Sequence, residues 1–145
     1  MKSVFSSILL FFTPLILTAQ RGSFEGVEIK SKHIAGNVYM LEGRGGNIGV
    51  SAGEEGVIMI DDQFALLTDK IVAAVKAISD KLIEYIVNTH LHGDHIGGNE
   101  NLGKLGVKIV AHDLVHDRLE SRTVNRQTGE LDRGAPDAAL PNITY

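Results

Sequence analysis

The sequence predicts an α/β domain, on the border with α+β: a mixed sheet carrying helices on one face. Three observations predict it. Short apolar segments separated by glycine-containing turns fill residues 27–60. The period then changes, so that helical and extended segments alternate. Finally, Val57-Ile58-Met59-Ile60 is apolar at four consecutive positions, which marks a strand covered on both faces.

Taken in order, residues 27–34 are a candidate strand, and residues 37–41 follow after the Ala35-Gly36 turn signal. Gly43-Arg44-Gly45-Gly46 is a turn, either a plain β-turn or, over residues 43–47, a hairpin loop lying over a site. Residues 47–51 and 57–60 form a second pair around Gly53-Glu54-Glu55-Gly56. Leu67, Ile71, Val72, Val75 and Ile78 then recur at helical spacing, with Thr68 as the expected N-cap and Asp69 in the first turn. Residues 83–88 are a second central strand. Residues 99–105 read as a short helix ending at Gly106, residues 107–111 as a strand, and residues 113–120 as a helix. Residues 121–141 are polar and punctuated by glycine and proline, and read as a loop. Central strands apolar on both sides need two covered faces, and the helices are few for that purpose. The domain reads as unfinished.

The 145 residues fit one domain or a piece of a larger one. Residues 1–19 stand apart: Lys2 supplies a positive start, residues 4–17 are apolar apart from Ser, Thr and Pro14, and Thr18-Ala19 offers a small residue before a cut at Gln20. This predicts a signal peptide, with an uncleaved anchor as the alternative, and hence an exported protein, periplasmic or secreted. Residues 20–26 read as a short linker. The formal net charge is −4, and Arg118, Arg122, Arg126 and Arg133 are interleaved with Asp117, Glu120, Glu130 and Asp132. No basic patch calls for nucleic acid. The balance points to a small-molecule substrate and no lasting membrane association after cleavage. The chain has no cysteine, so disulfides and thiolate ligands are excluded within it.

The chemistry is concentrated in Asn88-Thr-His-Leu-His-Gly-Asp-His-Ile-Gly-Gly-Asn99. His90 and His92, two residues apart on an extended backbone, lie on one side and can chelate one metal. Gly93 lets the backbone turn, after which Asp94 and His95 point toward a second position, and Gly97-Gly98 permits a tight exit with close backbone approach. Two metals about 3.5–4 Å apart share a hydroxide that attacks a carbonyl polarised by one of them. Zinc lowers the pKa of its water to about 7, which supplies the nucleophile at neutral pH.

His90-x-His92-x-Asp94-His95, entered from an apolar strand and followed by Ile96-Gly97-Gly98, resembles the signature of the metallo-β-lactamase superfamily. The resemblance covers roughly residues 27–145. It implies an αββα sandwich of two similar halves, of which this chain is the N-terminal one. It also implies zinc, two ions, held here by His90, His92, Asp94 and His95, with a catalytic part for Asp94 as well. Asp61, at the end of the strand 57–60, resembles the family's supporting aspartate, which orders the metal loop by hydrogen bonding. Three further ligands, a histidine, a bridging aspartate and a final histidine, would come from the other half. His112 and His116 follow the signature too closely to supply them, and His33 reads as a strand-pairing residue. Two protein ligands per metal fall short of the usual three, which again makes residues 27–145 an incomplete domain.

Histidine at position 90 sets the chain apart from the mono-zinc carbapenemase subclass, and His95 from the subclass using a later cysteine. There remain the three-histidine lactamases, glyoxalase-II-like thioesterases, lactonases and other exported hydrolases. The expected activity is hydrolysis of an ester, thioester, lactone or β-lactam amide by a metal-bound hydroxide. The alternatives are a truncated, non-catalytic metal-binding fragment and an iron-containing oxidoreductase of the same superfamily.

Overall fold

In this computed structural model, which describes residues 24–121, 123–124, 131–132 and 134–145, the chain opens with an antiparallel meander. β1 (Lys30–Ala35) pairs with β2 (Val38–Glu42), turning at Gly36, whose φ of 54° glycine adopts without strain. β3 (Ile48–Ala52) pairs with β2, and β4 (Val57–Ile60) with β3. From β4 onward the pairing is parallel, so each connection must cross over the sheet. A 3₁₀ turn at Ala65–Leu67 leads into α1 (Thr68–Ile78), which returns the chain to β5 (Ile83–Val87) beside β4. The one-turn α2 (Gly93–Ile96) and α3 (Asn99–Lys104) connect β5 to β6 (Lys108–Ala111). After α4 (Asp113–Glu120), β7 (Thr123–Val124) and β8 (Leu131–Asp132) pair as a separate ribbon. A second 3₁₀ turn, Asp137–Ala139, precedes β9 (Ile143–Thr144), which is parallel to β6. The main sheet runs β1-β2-β3-β4-β5-β6-β9 and is mixed, as expected for the class.

The core lies between this sheet and α1 with α3. Leu67, Ile71 and Val75, four residues apart, face Leu41, Ile48, Val50, Val57, Met59 and Ile86, and Leu102 of α3 completes the layer. The other face of the sheet differs from expectation. Val57 and Met59 are fully buried, whereas Ile58 and Ile60 are 41% and 39% exposed. Strand register places Val38, Tyr85, Val87, Val110 and Ile143 on that same side. Apolar residues therefore line both faces of β4, and one face is covered.

Two local readings are corrected. Thr68 is not the N-cap of α1: that position is Leu67, and the Thr68 hydroxyl donates back to Ala65 O at 3.0 Å, closing the 3₁₀ turn. Within 121–141, the described residues include the ribbon and the second turn rather than loop alone, and β9 follows. Strands of two residues are too short to show a period. Phe24, in the stretch read as a linker, packs edge-on against Phe64 at 5.1 Å, and the Lys70 ammonium holds the carbonyls of Phe24, Glu25 and Val27. The predicted signal peptide, 1–19, lies outside the described residues. No helix among the described residues is long and apolar enough to cross a membrane.

Candidate metal centre

Parallel strands β4 and β5 deliver their following residues to one edge of the sheet, the carboxyl edge where open α/β sheets bind ligands. Asp61 follows β4, and residues 88–99 follow β5. The two ends of that twelve-residue segment are tied to each other: the Asn88 and Asn99 amides, each 1% exposed, bond reciprocally at 3.1 and 2.9 Å. Asn99 Nδ2 also donates to Ala139 O at 3.1 Å. A buried amide pair satisfied in this way fixes the span of the loop.

Asp61 grips the loop from below. Its Oδ1 accepts the Thr89 N–H at 2.8 Å, and its Oδ2 accepts both the Thr89 hydroxyl and His95 Nδ1 at 2.7 Å. These bonds settle two tautomers. A carboxylate only accepts, so His95 carries a proton on Nδ1, and the neutral ring leaves Nε2 bare. The Thr89 hydroxyl spends its one proton on Asp61, so at 3.0 Å it accepts from His90 Nδ1, and His90 Nε2 is bare as well. One aspartate thus orients two imidazoles, an arrangement that resembles the outer-sphere support of metal-binding histidines.

The bare nitrogens face partners. His90 Nε2 accepts from His92 Nδ1 at 3.1 Å, a proton a metal would displace, and two nitrogens on one tetrahedral zinc, at about 2.0–2.1 Å each, stand about 3.3 Å apart. His95 Nε2 lies 3.6 Å from Asp94 Oδ2. By donor type and by spacing within each pair, these residues fit zinc. The pairs do not merge into a larger set: among the described residues no three His, Cys, Asp or Glu side chains are arranged to hold one ion. Instead the rings of His90 and His95 lean together, with centroids 4.0 Å apart.

The segment that carries Asp61 is unusual. Asp61 and Gln63 have φ of 63° and 55°, in the left-handed region that favours glycine. Between them Asp62 is buried, its N–H donating to His95 O at 2.9 Å and its Oδ1 accepting from Gly98 N–H at 2.8 Å. Oδ2 has no partner among the described residues. Burial pushes the Asp62 carboxyl up to about 8, against the pull of the Gly98 N–H and with a further upward push from Asp61. The glycines beside it are needed for close approach. A Cβ on Gly97 would lie 2.6 Å from Gln63 O, and one on Gly98 would lie 3.0 Å from Asp62 O. Across the site, a Cβ on Gly45 would lie 2.8 Å from that of Asp94, and one on Gly46 would lie 2.7 Å from His95 Cε1. The Gly43–Gly46 turn therefore borders the site, against the Asp94–His95 side.

The profile of the metallo-beta-lactamase superfamily matches residues 34–137, the greater part of the chain, including this centre. The chain belongs to the metallo-beta-lactamase superfamily. Solved members share its fold. A subclass B3 metallo-beta-lactamase of Bradyrhizobium japonicum superposes with a TM-score of 0.64 at 22% identity, covering 81% of this chain and 46% of its own. An enzyme from Hirschia baltica gives 0.56 at 25% identity, covering 63% and 46%. One from Pontibacter korlensis gives 0.58 at 20% identity, covering 81% and 53%. The chain spans about half the length of these solved structures. No curated protein matches it.

Members of this superfamily are metallo-hydrolases, and the signature residues His90, His92, Asp94 and His95 come together at one sheet edge with Asp61 beneath them. The remaining histidines lie elsewhere. His33 bonds Gly36 O at 2.9 Å in the first hairpin. His112 caps α4, its Nδ1 accepting from Leu114 N–H at 3.1 Å, and His116 sits on α4 beside Asp117. Gly93 begins α2 with open space around it, so a helix start rather than a sharp turn carries the chain from His92 to Asp94. Thr89, Asp62, Gln63 and the Asn88–Asn99 pair were not singled out from the sequence. The available signal was the Asp61-Asp62-Gln63 run, three polar residues directly after an apolar strand, which is hard to bury without specific partners.

Proposed function

We propose that the complete protein is a zinc-dependent hydrolase of an ester, thioester, lactone or β-lactam amide bond, and that this chain supplies its N-terminal half and half of a dinuclear site. His90 Nε2 with His92 Nδ1 would hold one ion, and Asp94 with His95 Nε2 the other. When bound, zinc supplies acidified water and polarisation of a carbonyl oxygen. This chain's residues do the rest. Asp61, directly and through Thr89, keeps His95 and His90 in the tautomer that presents Nε2. Asp94 takes the catalytic part, its carboxylate accepting a proton-bearing contact from water at the site. The Gly45–Gly46 backbone, lacking side chains, comes close against Asp94 and the His95 ring. The exported location and small-molecule substrate belong to the same reading.

The observation that carries it is the tautomer assignment by Asp61, since a merely polar loop has no need to bare both Nε2 atoms on one side. The full-length product should contain zinc by elemental analysis and hydrolyse at least one of a chromogenic β-lactam, a lactone and a thioester, with hydrolysis lost and zinc content reduced in His92→Ala. A product with no metal, or a His92→Ala variant with undiminished metal, would defeat it. A second reading, a non-catalytic metal-binding fragment, is favoured by the two-donor pairs. Residues 24–145 binding zinc without turning over any of the three substrates would select it.

A further inference from the structure

Gln63 is fully buried, and its backbone φ is 55°. Both ends of its amide are used on one short stretch: Oε1 accepts from Arg44 N–H at 3.3 Å, and Nε2 donates to Gly46 O. Its carbonyl accepts from Gly98 N–H at 3.1 Å, at the exit of the ligand loop. One residue therefore joins the glycine turn to the end of the segment 88–99. The turn itself, Gly43-Arg44-Gly45-Gly46, is by composition among the freest stretches of the chain. Yet it lies so close to the site that a Cβ added at Gly45 would meet Asp94, and one at Gly46 the His95 ring, at the distances given above. A left-handed non-glycine residue persists only where its surroundings over-determine it, which points to a role for the side chain it presents.

We propose that Gln63 is a positioning residue. By pinning Arg44 and Gly46 it turns the glycine stretch into a fixed wall that sets the orientation of the Asp94 carboxylate and the His95 ring. The consequence is one-sided: His90 is held from Thr89, and its pair with His92 does not depend on this wall. The pinning stands on the geometry alone; its effect on metal rests on the function proposed above.

Gln63→Met keeps the length of the side chain and removes both amide hydrogen bonds, which separates pinning from space-filling. In the full chain, backbone amide exchange at Gly45–Asn47 should rise about tenfold or more. The ring-nitrogen resonances of His95 should shift more than those of His90, whose ring lies against it, and those of His92 should stay. On titration with zinc alone, half-saturation read at His95 should move about tenfold higher, with the His92 response unchanged. Gly46→Ala leaves Gln63 intact and drives a methyl onto His95. It should shift the His95 ring most, and it decides the matter if Gln63→Met fails to fold. Unaltered exchange at Gly45–Asn47, equal shifts at His90 and His95, or an unmoved His95 in Gly46→Ala would each overturn the proposal. A wild-type chain whose histidines all ignore zinc would sink the metal reading, and the exchange and ring shifts would still decide this one.

Discussion

The Asp94–His95 pair and the His90–His92 pair are neighbours in the chain and differ in how they are held. His95 is bonded directly to Asp61, its side chain is 20% exposed, and the Gly46 backbone lies on its ring. His92 is exposed, and its ring has one described polar neighbour, His90. His90 reaches Asp61 only through the Thr89 hydroxyl. One pair is built into the floor of the domain, and the other stands on a single relay. The difference teaches that the type of ligand does not determine readiness. Readiness comes from what lies behind the ligand.

That comparison can be broken in several ways. His92→Ala should have the largest effect, emptying the His90–His92 position and reducing turnover of the complete protein by orders of magnitude, while zinc at Asp94–His95 remains. Metal counting before and after dialysis checks it, and loss of both ions would show that the pairs are not independent. Asp61→Ala should lower affinity at both positions about 10–100-fold, because both tautomers lose their anchor. Zinc titration checks this, and loss confined to His95 would remove the relay through Thr89. Gly97→Ala should destabilise the fold by about 1–3 kcal/mol, since its Cβ meets backbone atoms that have little room to move. Urea unfolding measures it.

A pH-dependent effect concerns Asp62. Its carboxyl has a raised value, about 8 against 3.8, so the folded state favours the protonated form. The stability it contributes is fully present below about pH 4 and is lost as pH rises toward 8, by up to about 1.4 kcal/mol per pH unit. Asp62→Asn keeps an acceptor for Gly98 N–H without that loss, so the variant should gain on wild type between pH 5 and 8. A constant difference across that range would mean the acid does not titrate there. His116→Ala, on α4, should change neither metal content nor rate.

The fold was legible where side chains repeat. Leu67, Ile71 and Val75 announced α1, and Val57–Ile60 announced a central strand. The same run misled about its second face, because periodicity reports that a residue is apolar and not whether anything covers it. The candidate ligands were legible because His90, His92, Asp94 and His95, crowded into one short polar segment after an apolar strand, suit a metal far better than a plain loop. Their supports were not. Thr89, Gln63 and Asn99 are ordinary polar residues in sequence, and their roles arise from partners 11 to 28 positions away. Asp61 was reached through resemblance alone; its grip on Thr89 and its left-handed backbone became visible only in three dimensions.

The backbone at Asp61 and Gln63 bears on any attempt to engineer this domain. Glycine would relax each position, where a side chain in the left-handed region costs about 1–3 kcal/mol. The hydrogen bonds of the Asp61 carboxylate and of the buried Gln63 amide offset that cost. Glycine would ease the backbone only by stranding Thr89, His95, Arg44 and Gly46, so a screen for heat resistance would keep both side chains.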